Sequence, residues 1–253
     1  MFPRKDFESA FLKLDRAEQH ISQFKGIVHT YVMANIKAMR PEPNPKRWKS
    51  RALGAPIPKH TPTIVGDAIH NLRTSLDHAY CALVEANGAT VKRHTTFPFH
   101  KDGISAESSL NGHKLKMCAP SDAVIRFIVD VIQPFEGTGN GLYGIHQLDI
   151  ADKHHSLIAA NQVLAIERLE IINASGSPTG DSFEDISIVT EYGNQLGAIG
   201  VNNGFGAKLK GDPNTTFDIQ FGDGQPFERE SILSTLVFML QITRDTIIAL
   251  AKL

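Results

Sequence analysis

"GDAIHNLRTSLDHAY", residues 66–80, carries two histidines, two aspartates and one arginine within a helical pattern. At about 100° per residue, Asp67, His70, Asn71, Thr74, Asp77, His78 and Cys81 share one arc roughly 120° wide. Ile69, Leu72, Leu76, Ala79 and Leu83 lie opposite. The polar arc lacks the lysines and glutamates that usually solvate an exposed face. Short side chains that hydrogen-bond at fixed geometry fill it, so it is expected to meet another helix or a ligand rather than bulk water.

The flanking sequence reads as further helices. Phe7, Phe11, Leu14, Ile21, Phe24, Val28 and Tyr31 recur at helical spacing over residues 5–40. Pro41 ends that helix, and six prolines between 41 and 62 make the following stretch a loop, with Trp48 packed onto the bundle. The second helix is expected over 62–87, capped by Thr61 or Thr63 and stopped by the Asn87-Gly88 pair. "TTFPF", 95–99, reads as extended, and 106–117 is weakly patterned. A third helix is expected over 119–133, with Pro120 at its first position and Ser121 and Asp122 near its start. Gly137 to Gly144 forms a joint without a Walker lysine, and a fourth helix is expected over 142–160.

The texture then changes. "VLAIERLEII" (163–172), "FEDISIVTEY" (183–192), "LGAIGV" (196–201) and "TTFDIQF" (215–221) are β-branched or alternating runs between turn residues, which predict an antiparallel meander over 163–222. An amphipathic helix over 228–252 closes the chain. The expectation is one α+β domain over 1–253, mainly α: a bundle of long helices with a small antiparallel sheet inserted before the C-terminal helix.

Lys plus Arg number 26 against 27 Asp plus Glu, a formal net charge of -1, so any contact with a polyanion must be local. Cys81 and Cys118 form no C-x-x-C pair, which argues against a disulfide framework or a zinc ribbon. The charged N-terminus does not resemble a signal peptide, and no run reaches the ~18 apolar residues of a membrane span. A cytoplasmic protein without a membrane partner is expected. Eleven histidines, several beside acids, make histidine chemistry the feature to follow.

The string Arg73-Thr-Ser-Leu-Asp-His78 resembles the arginine, four residues, histidine motif of the HEPN superfamily. That resemblance implies a helical bundle, often a homodimer, acting as a metal-independent endoribonuclease of a toxin or defence type. It also implies that Arg73 stabilises phosphate charge and that His78 moves protons. Asp77, four residues after Arg73, is placed to orient the guanidinium. Thr74 stands where the family more often carries Asn, Asp or His. More broadly, "GDAIHNLRTSLDHAYCAL", "TFPF", "IQPFEG" and "LYGIHQLDIADKHHSL" resemble a pattern of uncharacterised bacterial and phage proteins. RNA is the partner implied, with Lys92, Arg93 and His94 holding its backbone.

A competing reading uses metal. Asp67-x-x-His70 has a counterpart in Asp152-x-x-His155, and an acid and a histidine at i, i+3 point the same way. These four are candidate ligands for a divalent metal, with Glu18 or Asp15 and Asp245 as completing carboxylates, although the ribonuclease reading expects no cofactor. The alternative function is a non-catalytic bundle that binds a ligand or metal, or an interaction partner, between its second and fourth helices. There Asp67, His70, Asn71, Asp152 and His155 form a polar network. His146, Asp149, Lys153 and His154 add polar groups to the fourth helix, read as inter-helix or surface contacts.

Overall fold

The computed structural model describes residues 7–39, 57–138, 141–154, 160–172, 175, 177–191, 208–209 and 214–253. Trp48, the run at 196–201 and His155 lie outside them. The elements are α1 (Glu8–Met39), α2 (Thr61–Ala86), α3 (Gly103–Leu115), α4 (Asp122–Phe127), α5 (Leu142–His154), β1 (Ala160–Ile172), β2 (Pro178–Glu191), β3 (Lys208–Leu209), β4 (Asn214–Phe221) and α6 (Ile232–Leu250). The chain is mainly helical, with its antiparallel sheet before the last helix, as its patterning predicts.

From Phe7, just before α1, the buried positions Ala10, Leu14, Ala17, Ile21 and Phe24 follow in alternating steps of three and four, and Tyr31 continues the same face seven residues on. Such spacing keeps one seam turned towards a neighbour along the whole helix. That seam meets α2 and α6. α2 packs against α1, α5 and α6, so it is the central helix of the bundle, with Ile69, Leu72, Leu76 and Ala79 fully buried. Its polar arc consequently has α5 as a neighbour. At its end Gly88 takes φ 70°, and Ala89 N–H and Gly88 N–H donate to the carbonyls of Val84 and Glu85. This is the paired closure that a glycine after the cap allows. Its start differs from expectation: His60 is the cap residue without a side-chain bond, and the Thr63 hydroxyl instead donates back to His60 O at 2.7 Å.

Three boundaries also depart from the sequence reading. The weakly patterned stretch folds as α3, because Asp102 caps it by accepting from Ser105 N–H at 2.7 Å, a local bond that needs no apolar periodicity. The third predicted helix starts after Ser121, whose hydroxyl accepts from Val124 N–H. It then widens into a π turn over Ile128–Ile132 that ends at Gln133 with φ 49°. β1 begins at Ala160, so the fourth helix, described over Leu142–His154, does not run to 160.

The sheet is not a meander. β1 is central, with β2 on one side and β4 on the other, all antiparallel, and β3 beside the far end of β1. Phe217, Ile219 and Phe221 of β4 are buried at period two and carry the sheet onto the bundle, where Phe217 meets Tyr31 edge-on at 6.3 Å. By length and composition α6 is apolar enough to cross a membrane, contrary to the reading of its sequence, but Ile232, Leu236, Met239, Ile247 and Leu250 are buried in the core.

Candidate functional site

The side chains that gather between α2 and α5 centre on Asp149, which is 4% exposed. Its Oδ1 lies 2.9 Å from His70 Nδ1, and Lys153 donates to its Oδ2 at 2.6 Å from one turn along α5. Arg73 Nε stands 4.0 Å from the same Oδ2. A buried carboxylate needs this company, because an uncompensated charge away from water is costly. With Nδ1–H donating to the carboxylate, His70 keeps its Nε2 lone pair. The Thr74 hydroxyl, which approaches Nε2 at 3.4 Å, already donates to His70 O at 2.7 Å. His70 is 46% exposed on its side chain, so the ring is open to solvent.

Arg73 is held on several sides. Its Nη1 donates to Asp77 Oδ2, its Nε donates to His146 Nδ1 at 3.2 Å, and its guanidinium lies 4.9 Å from the centre of the Phe99 ring. Phe99 in turn stacks flat on His146, ring centres 5.0 Å apart and 1° from parallel. A guanidinium fixed by a carboxylate, an imidazole and an aromatic face loses little further freedom on meeting an anion. Burial, and then the charge of Arg73, push the His146 pKa down to about 4. The ring is neutral at neutral pH and serves as acceptor. Asp77 is pushed up by burial, against the pull of Arg73 and of the Phe97 N–H that donates to its Oδ1 at 2.8 Å.

The extended "TTFPF" segment therefore does two things. Phe97 anchors Asp77 through its backbone and packs edge-on against Tyr80, and Phe99 supplies the ring on which Arg73 and His146 rest.

Of the residues singled out from sequence, Arg73, Asp77 and His70 meet at this seam. His78 is half-buried, and among the described residues no hydrogen bond joins it to Arg73. Asn71 turns back to its own helix, donating to Asp67 O at 2.7 Å. Asp67 is exposed and close enough to His20 of α1 to oppose the fall in its pKa, a fall caused by burial and then by Arg16. Asp152 packs against the backbone of Gly66, where a Cβ would stand 2.6 Å from Oδ2. His70 thus takes Asp149, not Asp152, as its partner on α5. Glu18 pairs with Arg244 at 2.8 Å and Asp245 with Gln241 at 3.0 Å. No group of three or more His, Cys, Asp and Glu side chains among the described residues is arranged to hold a metal ion.

Compared with family models, with curated proteins and with solved structures, the chain matches none. Its site is therefore read from its own geometry. Sequence reasoning undervalued His146, Asp149, Lys153 and Phe99. The spacing of the first three, i, i+3 and i, i+4 on one helix, was the available signal. Gly141 of the glycine-rich joint has φ 76° and lies under Phe238, where a Cβ would stand 2.6 Å from the ring, so its packing alone accounts for the residue.

Proposed function

We propose that this chain is a metal-independent endoribonuclease whose reacting groups lie in the seam between α2 and α5. The observation that carries the reading is the His70–Asp149 pair: a buried carboxylate 2.9 Å from Nδ1 fixes the tautomer and leaves the Nε2 lone pair free on a ring that is 46% exposed, while Arg73 and Lys153 approach the same carboxylate. A carboxylate-oriented imidazole of this kind serves as a general base. His70 Nε2 takes the proton of an RNA 2′-hydroxyl, the 2′-oxygen attacks the adjacent phosphorus, and the bond from phosphorus to the 5′-oxygen breaks. A 2′,3′-cyclic phosphate remains, and the 5′-oxygen takes a proton from solvent. Arg73 and Lys153 offset the charge that builds on the phosphate oxygens.

The resemblance at Arg73 and His78 independently favours RNA as substrate, but it assigns the proton to His78. The geometry favours His70, because its ring is oriented by Asp149 and shares that carboxylate with the cations. The test is cleavage of single-stranded RNA by purified protein in EDTA, with His70→Ala and His78→Ala compared. Intact RNA after incubation with wild-type protein across the pH range overturns the reading.

A second reading, a non-catalytic ligand or partner-binding bundle, is favoured by the closure of the Arg73 environment, whose side chain is 12% exposed. Under it the seam fixes the register of α2 against α5 and recognises an anion without cutting it.

A further inference from the structure

The turn after α2 and the C-terminal end of α3 are far apart in sequence and adjacent in the fold. Thr90 N–H donates to Met117 O at 3.0 Å, and Lys92 Nζ donates to Lys116 O at 3.0 Å. Lys92 and Thr95 close a tight turn through Lys92 N–H to Thr95 Oγ1 and Thr95 N–H to Lys92 O, which puts Arg93 and His94 at its tip, both exposed. α3 ends in a left-handed residue, Met117 at φ 52°, with Cys118 N–H and Met117 N–H bonded to the carbonyls of His113 and Lys114. That closure sets His113 and Lys116 beside the turn.

From these contacts we infer that Lys92, Arg93, His94, His113 and Lys116 form a binding surface for the phosphate backbone of single-stranded RNA, leading past His100 to the Arg73 seam. The inference rests on the ribonuclease reading for its direction along the surface, though binding can be measured without cleavage. Two observations support it. The Thr90–Met117 and Lys92–Lys116 hydrogen bonds bring three exposed cations, Lys92, Arg93 and Lys116, to one place. The 92–95 turn also runs directly into the segment whose Phe97 N–H donates to Asp77 and whose Phe99 ring lies under Arg73, so the chain itself leads from these cations to the seam. Lys114 is excluded from the surface because Asp122 neutralises it at 2.6 Å. Exposed Leu115 and Met117 flank the same cations, which makes an anionic lipid surface the rival partner. RNA is favoured because that segment continues from the exposed cations to the part-buried Arg73 seam, where a flat bilayer cannot follow.

The experiment uses full-length protein and a fluorescent RNA with 2′-O-methyl riboses, which binds but lacks the attacking hydroxyl. Wild-type protein is expected to bind it with an affinity that falls steeply with salt. In Arg93→Glu/Lys116→Glu the affinity is expected to drop about tenfold or more, with the salt slope shallower by about 2. Both positions are exposed, and unchanged circular dichroism shows that the variant is folded. Equal binding by wild type and variant overturns the inference. So does wild-type protein that ignores the RNA at low salt, including the case in which it sediments with phosphatidylserine vesicles instead. Binding with the expected slope while natural RNA stays uncut leaves the surface standing and removes the ribonuclease reading.

Discussion

His70 and Asp149 stand 79 residues apart in sequence and 2.9 Å apart in space, imidazole Nδ1 to carboxylate Oδ1. The contact ties the exposed edge of α2 to a carboxylate buried on α5. Of the two histidines in the 66–80 stretch, it is His70 whose ring this carboxylate orients.

Replacing that histidine separates the two proposed proton carriers. His70→Ala is expected to lower kcat for RNA cleavage by about 100-fold to 10,000-fold, the range for loss of a general base. His78→Ala is expected to stay within a few-fold of wild type. Single-turnover cleavage of a labelled RNA in EDTA is the measurement. The opposite ranking assigns the role to His78.

Asp149→Asn keeps the shape of the side chain and removes the charge that His70, Lys153 and Arg73 share. Loss of a buried partner costs about 3–5 kcal/mol, but His70 and Lys153 are 46% and 43% exposed on their side chains and rehydrate, so a loss of about 1–3 kcal/mol is expected. Thermal unfolding should show it as a Tm several degrees lower. An unchanged Tm means that the carboxylate is not holding the seam.

His146 gives stability a pH dependence of known sign. Its pKa is about 4 in the folded chain against 6.5 for the free side chain, so the unfolded state binds the extra proton between those values. Its contribution is fully present above pH 6.5 and is lost as pH falls towards 4. His146→Phe, which retains stacking on Phe99 but cannot be protonated, is expected to flatten the Tm profile between pH 6.5 and 4 relative to wild type. The comparison is needed because burial also lowers His20, His100 and His113, which act in the same direction. Identical slopes in the two proteins refute the assignment.

Gly66→Ala tests the packing of α5 on α2. Alanine raises helix propensity by about 1 kcal/mol, yet the new methyl would stand 2.6 to 2.8 Å from three atoms of the Asp152 carboxylate. Net destabilisation of about 1–2 kcal/mol is expected from the overpacking. Adding Asp152→Ala should restore most of it. A Gly66→Ala protein more stable than wild type would show that Asp152 moves aside freely.

How far the site could be read from sequence follows from the range of the interactions. The Arg73–Asp77 pair is i, i+4 within one helix, and any helical assignment of 66–80 brings it forward. The Asp149–Lys153 pair is equally local, and both residues were visible as polar groups on the fourth helix. The choice between Asp149 and Asp152 as partner of His70 was not local. They lie three residues apart on the same face, and the close approach at Gly66, which seats Asp152 against the α2 backbone, leaves Asp149 for His70. Phe99 was legible only as part of an extended segment, because an aromatic ring under a guanidinium has no spacing signature. α3 was weakly patterned because only Ala106 and Leu110 of its residues are buried.

By itself the sequence determined the long helices, the strands β1, β2 and β4 and the polar arc of α2, since each follows from a short-range period or from a terminating residue such as Gly88. Tertiary structure alone decided that β4 pairs with β1, that His146 and Phe99 support Arg73, and that Asp149 fixes His70. These contacts join residues far apart in the chain, and their geometry depends on how closely whole helices and sheets approach one another.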